Sequence, residues 1–498
     1  MLLSLALPIL GLSTVALILT PLVYYLWDPH GLREFPSPSI AAISPICRAW
    51  HNVRFKHYAA VHDAHERLGT HVRIAPNHIS ILDPRAPQQI YGHGANMLKA
   101  DWYDAAAGPH RNLADTRDKS EHQAKRKMLA HTFAAKTVVA FEPLLQENLS
   151  NLLNVLDRHE AAGEMANIRR LLNYMLIDIF GQLLYGHKLG CLERGDDILV
   201  AESKDGRTYK APFIDSLLDS TVINNLLAIF SHIAPTLGKI AQYHLYKKKG
   251  ADWDNIVYHN TKKRFETPKA EDNLFQRLLR DSKGQDLNLP FGAILAECSS
   301  MMNAGTETTT AAMTNTTYLL YSHPPVLQKL RDEIMAAVPG NDIPTYAVVS
   351  TLPYLRACIE ESLRVRPASS FGLPRIVPKG GREICGQFIP EDVIVSVPTY
   401  SLLRDQTVFK QAAEYIPDRW LTEDPEEKKR MMNGHLPFST GPRACIGRNI
   451  AYFEQTVVIA TIVKFFDGKL EEGFQLETQE RFNSNAGDLP MQMSRRVF

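Results

Sequence analysis

Cysteine is scarce in this chain. Six cysteines are scattered over 498 residues without one C-x-x-C pair. Cys47, Cys191, Cys298, Cys358, Cys385 and Cys445 therefore do not read as a disulfide framework, and a reducing compartment fits them. Charge of either sign is not in surplus. A formal net charge of +1 speaks against bulk electrostatic binding of nucleic acid. No Gly/Ser linker and no long charge run divides the chain after residue 50, which favours one large domain. A dinucleotide fingerprint is also missing, since Gly92-His-Gly94-Ala-Asn-Met97 fails the G-x-G-x-x-G test.

Charged residues are absent altogether from Met1 to Trp27. That run is long enough for a membrane helix of about 20 residues, although Pro8 and Pro21 interrupt it. A cleaved signal peptide is the rival, but there is no basic start and no clear A-x-A site. Basic residues follow the run at Arg33, Arg48, Arg54 and Lys56, with none before it, which places the body in the cytosol. The organisation expected is an anchor over 1–27, a proline-rich hinge over 28–45 and a catalytic body over 46–498.

What is present centres on Phe438-Ser-Thr-Gly441-Pro-Arg443-Ala-Cys445-Ile-Gly447. Gly441 and Gly447 permit tight turns, so backbone can approach a flat ligand closely. Backbone N–H groups in such a turn can point at the Cys445 sulfur and hold it as a thiolate. A helix beginning at Asn449 would add its positive dipole end. A buried thiolate of this kind suits haem iron. The blander reading is a structural cysteine in a turn.

Elsewhere the signals are weaker. Residues 50–69 read as a helix, and His71–Ala75 with His78–Leu82 as a hairpin. Lys99 to Lys119 reads as a long loop of the kind that carries specificity. His122 and Arg126 share a helix face and could donate to a carboxylate, or simply be solvated. Phe213 to Ile240 is apolar and could be core, a substrate lid or a membrane contact. Pro290 and Pro324 bracket one long helix, with Ala304-Gly-Thr-Glu307-Thr308-Thr at its middle, where poor helix formers point to a ligand approach or are a tolerated polar patch. Glu361 and Arg364 lie three apart on a later helix, and Pro417-Asp-Arg419-Trp420 sets an arginine beside an aromatic ring.

Taken in order, the central-helix pattern, Glu361-x-x-Arg364, Pro417-Asp-Arg419-Trp420 and the cysteine loop resemble the cytochromes P450 over essentially the whole chain. Further stretches resemble the fungal benzoate 4-monooxygenase group: Val72-Arg-Ile-Ala-Pro-Asn-His-Ile-Ser, Ile90-Tyr-Gly-His-Gly and Gly372-Leu-Pro-Arg375-Ile-Val-Pro. The resemblance implies a mainly α fold with a small β-rich lobe. It implies haem b between the central helix and the cysteine loop, with Cys445 as iron ligand and Phe438 tuning its environment. It gives Thr308 and Glu307 the oxygen-protonation role. His122, Arg126, Arg375 and Arg443 then contact the haem propionates, and Glu361, Arg364 and Arg419 form a structural triad. Trp102, Tyr103, Ala106, Ala107, Ala304 and Phe371 are the substrate-contact candidates.

The expected activity is hydroxylation or epoxidation of a hydrophobic small molecule with O2. A separate NADPH-cytochrome P450 reductase would supply electrons, docking near Lys125, Lys127 and Arg448, at the endoplasmic reticulum membrane and in fungal secondary metabolism. The chain departs from the benzoate enzymes it resembles at Ala105 to Ala107, small where those carry bulkier apolar residues, which implies a roomier pocket and a polycyclic or polyketide-like substrate. Three rivals stand: benzoate 4-hydroxylation, with His110 and Arg111 as carboxylate partners; a redox-neutral haem-thiolate isomerase or dehydratase; and a haem carrier or sensor.

Overall fold

The computed structural model describes residues 19–105, 107–230, 245–267, 273–280 and 283–497. The helices that build the body are α1 (His57–Leu68), α2 (Lys119–Ala130), α3 (Glu142–Ala162), α4 (Ile168–Tyr185), α5 (Phe213–Ile229), α6 (Leu245–Glu266), α7 (Phe291–Tyr321), α8 (Pro324–Ala337), α9 (Pro353–Val365) and α10 (Arg448–Phe465). α7 runs through the middle. It packs on α4 along one flank and on α9 and α10 along the other, with α6 across its N-terminal half.

α7 holds 31 residues in spite of its threonines. Thr306 and Thr308 donate back to the carbonyls of Met302 and Ala304 at 2.7 and 2.6 Å, so the hydroxyls are satisfied within the helix. Gly305 has a packing reason. A Cβ there would lie 2.0 Å from the Phe180 ring of α4, which is itself buried. Gly305→Ala is expected to cost about 1–3 kcal/mol by overpacking. Phe180→Leu should restore much of that loss, and thermal unfolding of the single and double variants checks it.

The smaller lobe is a mixed sheet. Its strands are β1 (His71–Ala75), β2 (His78–Ile81), β3 (Leu98–Lys99), β4 (Arg375–Ile376) and β5 (Ile394–Ser396), in the order β1-β2-β5-β4-β3. Only β2 and β5 pair in parallel. Ile79, Ile81, Val377, Val393 and Val395 form its core, and Leu32 and Phe35 from the proline-rich stretch join them. A last hairpin, β6 (Thr478–Glu480) and β7 (Ser484–Ala486), folds back beside α7.

One local expectation is corrected. Residues 50–69 do not form one helix; a helix at Ile46–Val53 and α1 are parted at Phe55, which has φ +57°. The break is held from afar, because the Phe55 carbonyl accepts from Glu480 N and Arg481 covers the Phe55 ring. The non-helical stretch before α5 is a β-hairpin, Ile198–Glu202 with Thr208–Pro212, turned at Gly206 with φ +84°.

Of the expected anchor, residues 1–18 lie outside the described residues. Residues 19–27 are helical. Among the described residues no helix is long and apolar enough to cross a membrane.

Candidate functional site

The cysteine loop closes on itself: Cys445 N donates to the Phe438 carbonyl at 2.9 Å. Gly441 sits at φ +73°, and a Cβ there would lie 1.9 Å from the Tyr91 carbonyl oxygen, so the loop can lie against that backbone only with glycine. Burial pushes the Cys445 thiol up. The backbone N–H groups of Gly447 and Arg448 at the start of α10, with the Arg126 and Arg448 guanidiniums, act in the opposite sense and favour the thiolate. The Phe438 ring packs on Tyr452 at 4.9 Å and holds the near side of the loop.

Across from Cys445 stands α7. A cavity of about 240 Å³ lies between them, lined by Cys445 and Arg443 on one side and Thr308, Thr309 and Ala312 on the other. A second chamber of about 270 Å³ shares Thr308 and Phe482 with the first and extends to Trp102, Tyr103 and Ala304. Two chambers meeting at one hydroxyl give a place for a flat cofactor and a place for a substrate.

At the edge of this space cations gather. His122 and Arg126 come from α2, Lys99 from β3, Arg375 from β4, and Arg443 from the loop. Burial, then Arg443 and Arg375, draw the Lys99 ammonium down to about 6. Burial and the surrounding cations, Arg443 foremost, lower His122 to about 3. Arg443 falls to about 10 through burial and Arg375. Asp115 and Asp118 offset this only in part. Basic groups crowded at a half-buried site, with His122 and Lys99 driven toward neutrality by burial and the arginines, mark a place for an anion. The two propionates of haem fit that place, and Cys445 Sγ fits the iron. Lys99 was not singled out from the sequence. Only the pairing of β3 with β4 brings it beside Arg375.

Glu307 lies elsewhere. Its carboxylate accepts from Asn173 at 3.0 Å and Asn485 at 2.8 Å, and pairs with Arg169 at 3.4 Å. It is buried on the α4 flank and lines neither chamber. Its partners on the α4 flank and the β6–β7 hairpin, not helix spacing alone, turn Glu307 away from the cavity that Thr308 faces.

The Glu361 group is compact. Arg364 donates to both Glu361 oxygens at 2.9 and 2.8 Å, and Arg419 Nε donates to Oε1 at 3.0 Å. Trp420 Nε1 donates to Oε2 at 2.9 Å, an arm that only the arginine's neighbour hinted at in the sequence. Arg364 also donates to the carbonyls of Leu403, Ala412 and Glu414, which ties α9 to the loops beneath α10.

Of the substrate candidates, Trp102, Tyr103 and Ala304 line the second chamber. Phe371 backs Trp102 at 5.4 Å, Ala107 stands off the chamber, and Ala106 lies outside the described residues. Phe482 was missed, because it arrives on the β6–β7 hairpin from the far end of the chain. Lys125 turns inward to the Arg111 carbonyl and Glu297, while Lys127 and Arg448 remain exposed. Arg111 is held by Asp104 at 2.7 Å, and His110 lies against Gly292.

Comparison with known proteins agrees with this geometry. The Cytochrome P450 family model matches residues 44–491. Benzoate 4-monooxygenase bphA of Aspergillus niger is 33% identical over 97% of each chain. Cytochrome P450 monooxygenase aba2 of Botryotinia fuckeliana is 28% identical over 92% of this chain and 87% of its own. Cytochrome P450 monooxygenase astA of Talaromyces wortmannii is 29% identical over 93% and 92%. Carrying the cysteine loop, the central helix and the family's length, this chain belongs to the cytochrome P450 monooxygenases, which bind haem b through a cysteine thiolate.

Proposed function

We propose that this P450 hydroxylates or epoxidises a small molecule of fungal secondary metabolism, with O2 and electrons from an NADPH-dependent reductase. The observation that carries this reading is Thr308 facing Cys445 across one cavity. Haem, when bound, supplies oxygen activation driven by its thiolate ligand. The chain supplies the rest. Cys445 Sγ is the ligand, held by the N–H groups of the loop. Arg126, Arg375 and Arg443 would neutralise the propionates, with Lys99 and His122 beside them. Thr308 Oγ1 carries a proton at the boundary of the two chambers, where proton delivery is needed. Glu307, locked by Arg169, Asn173 and Asn485, reaches that hydroxyl only by leaving its partners or through water.

The test is coupled turnover by the haem protein with a reductase and NADPH. Thr308→Ala is expected to keep NADPH oxidation while product per NADPH falls by about tenfold or more, because the positioned proton donor is lost. Unchanged coupling would remove Thr308 from the relay. Product formation without NADPH would instead support a redox-neutral isomerase.

Membrane attachment belongs to the same proposal. In the described part of the expected anchor, Leu19, Val23, Leu26 and Trp27 are exposed. In the next helix Ile46, Trp50 and Val53 expose one apolar face at helical spacing. Both would be covered by lipid if the body rests on the bilayer with its N-terminus inserted.

Benzoate 4-hydroxylation is the second reading, favoured by the 33% identity to the Aspergillus enzyme. It needs a cation for the substrate carboxylate. Arg111 is engaged by Asp104 and donates to the Asp115 carbonyl, and His110 does not line the chamber.

A further inference from the structure

The chamber beyond Thr308 is largely apolar, but it carries a polar band. α5 places Ser220, Thr221, Asn224 and Asn225 along one side, at spacings that share a helix face. α7 faces them with Ser299, Ser300 and Asn303. Amides and hydroxyls therefore oppose each other across a space of about 270 Å³. The aromatic end of the chamber is Trp102, stacked on Phe482 at 5.6 Å with 16° between the rings.

Two polar atoms at this end lack partners among the described residues. Trp102 is 8% exposed, and its Nε1 has no acceptor. Asp115 is 5% exposed, and its Oδ1 has no donor. Both residues line the chamber. An indole N–H can only donate, and a carboxylate oxygen accepts. Buried polar groups in native proteins are rarely left unsatisfied, and those that are need an explanation. A complementary ligand is one that brings an acceptor to Trp102 and a donor to Asp115.

The charge pattern narrows the class. Among the described residues lining the chamber none is Lys, Arg or His, while Asp115 and Asp254 are both in its wall. The cations closest in sequence face other groups. Arg111 holds Asp104, and Lys99 Nζ donates to the carbonyls of Leu113 and Ala114. Arg111 and Lys99 act on Asp115 from behind the wall, and among the described lining residues a carboxylate ligand would meet acidic side chains and amides without a cation. An anion desolvated without a partner binds poorly.

We propose that the substrate is a neutral, oxygenated small molecule, with a carbonyl that accepts from Trp102 Nε1 and a hydroxyl that donates to Asp115 Oδ1. This deepens the monooxygenase reading and rests on it.

The experiment measures fragment affinities on the ferric haem protein by ligand-observed NMR. The probes are meta- and para-hydroxyacetophenone, para-ethyltoluene and benzoate. These are close in size, so each fits where the others fit. The better hydroxyacetophenone isomer is expected to bind about three- to tenfold more tightly than ethyltoluene, and benzoate most weakly, as one or two gained hydrogen bonds would give. Trp102→Phe should erase the carbonyl part of that advantage and leave ethyltoluene unchanged. Asp115→Ala should do the same for the hydroxyl. If ethyltoluene or benzoate binds as tightly as the hydroxyketones, the proposal is overturned. It is also overturned if Trp102→Phe weakens all the fragments alike. The wild-type ranking stands without any variant, so a poorly folded Asp115→Ala does not decide the matter. An optical thiolate-haem signature from the same samples reports on the monooxygenase reading separately.

Discussion

Cys445→Ala is expected to yield a protein that has lost the thiolate-haem spectrum and all NADPH-dependent turnover. The substitution removes the one sulfur that faces the cavity beneath Thr308. The N–H groups of Gly447 and Arg448 would then point at a methyl group, and the positive field of the α10 N-terminus would have no anion to hold. The fold itself should survive. The Cys445 N to Phe438 carbonyl bond is made by the backbone, and Gly441 still meets Tyr91. Circular dichroism close to wild type, with the thiolate signature gone, is therefore the expected pair of results. Retention of that signature would refute the ligand assignment and send the search to the remaining cysteines. Among those, Cys191, Cys298 and Cys358 are buried away from the chambers. Burial pushes all three thiols up and holds them protonated, Cys298 at about 12.

Glu361→Gln is expected to be strongly destabilising. The Glu361 and Arg364 side chains are fully buried, and Arg419 is nearly so. Removing the carboxylate charge leaves two guanidiniums packed together without their shared counter-ion. Breaking one partner of a buried ion pair costs about 3–5 kcal/mol. The amide also cannot accept at both positions, so one or more of the bonds from Arg364, Arg419, Trp420 and Ile416 N is lost. The expected readout is poor haem retention together with a large fall in the unfolding midpoint. A variant that keeps wild-type stability would show that the group does not brace the loops below α10. Arg419→Lys offers a milder version, since the charge remains while the Nε contact to Glu361 goes.

These two changes share a feature with the rest of the legible site. The cysteine loop, the Glu361-x-x-Arg364 pair and Thr308 on its long helix were all readable from the chain. Each is a local pattern, in which spacing within one turn or one loop dictates which atoms can meet. The β1–β2 hairpin and α10 were readable for the same reason. The break at Phe55 was not, because a carbonyl bond from the β6–β7 hairpin and the cover of Arg481 hold it.

The enzyme class and the positions expected to hold haem are legible in the chain alone. Its four motifs, in order, need no long-range geometry to be recognised. What surrounds them follows from long-range packing. It turned Glu307 toward Arg169 and away from Thr308. It brought Lys99 into the cation group, bound Arg111 to Asp104, and set the polar face of α5 opposite that of α7. The physical reason is common to all of these. Which face of a helix looks inward depends on what packs against its other faces. That is settled by elements far apart in the chain, through burial and pairing that no short window of sequence contains.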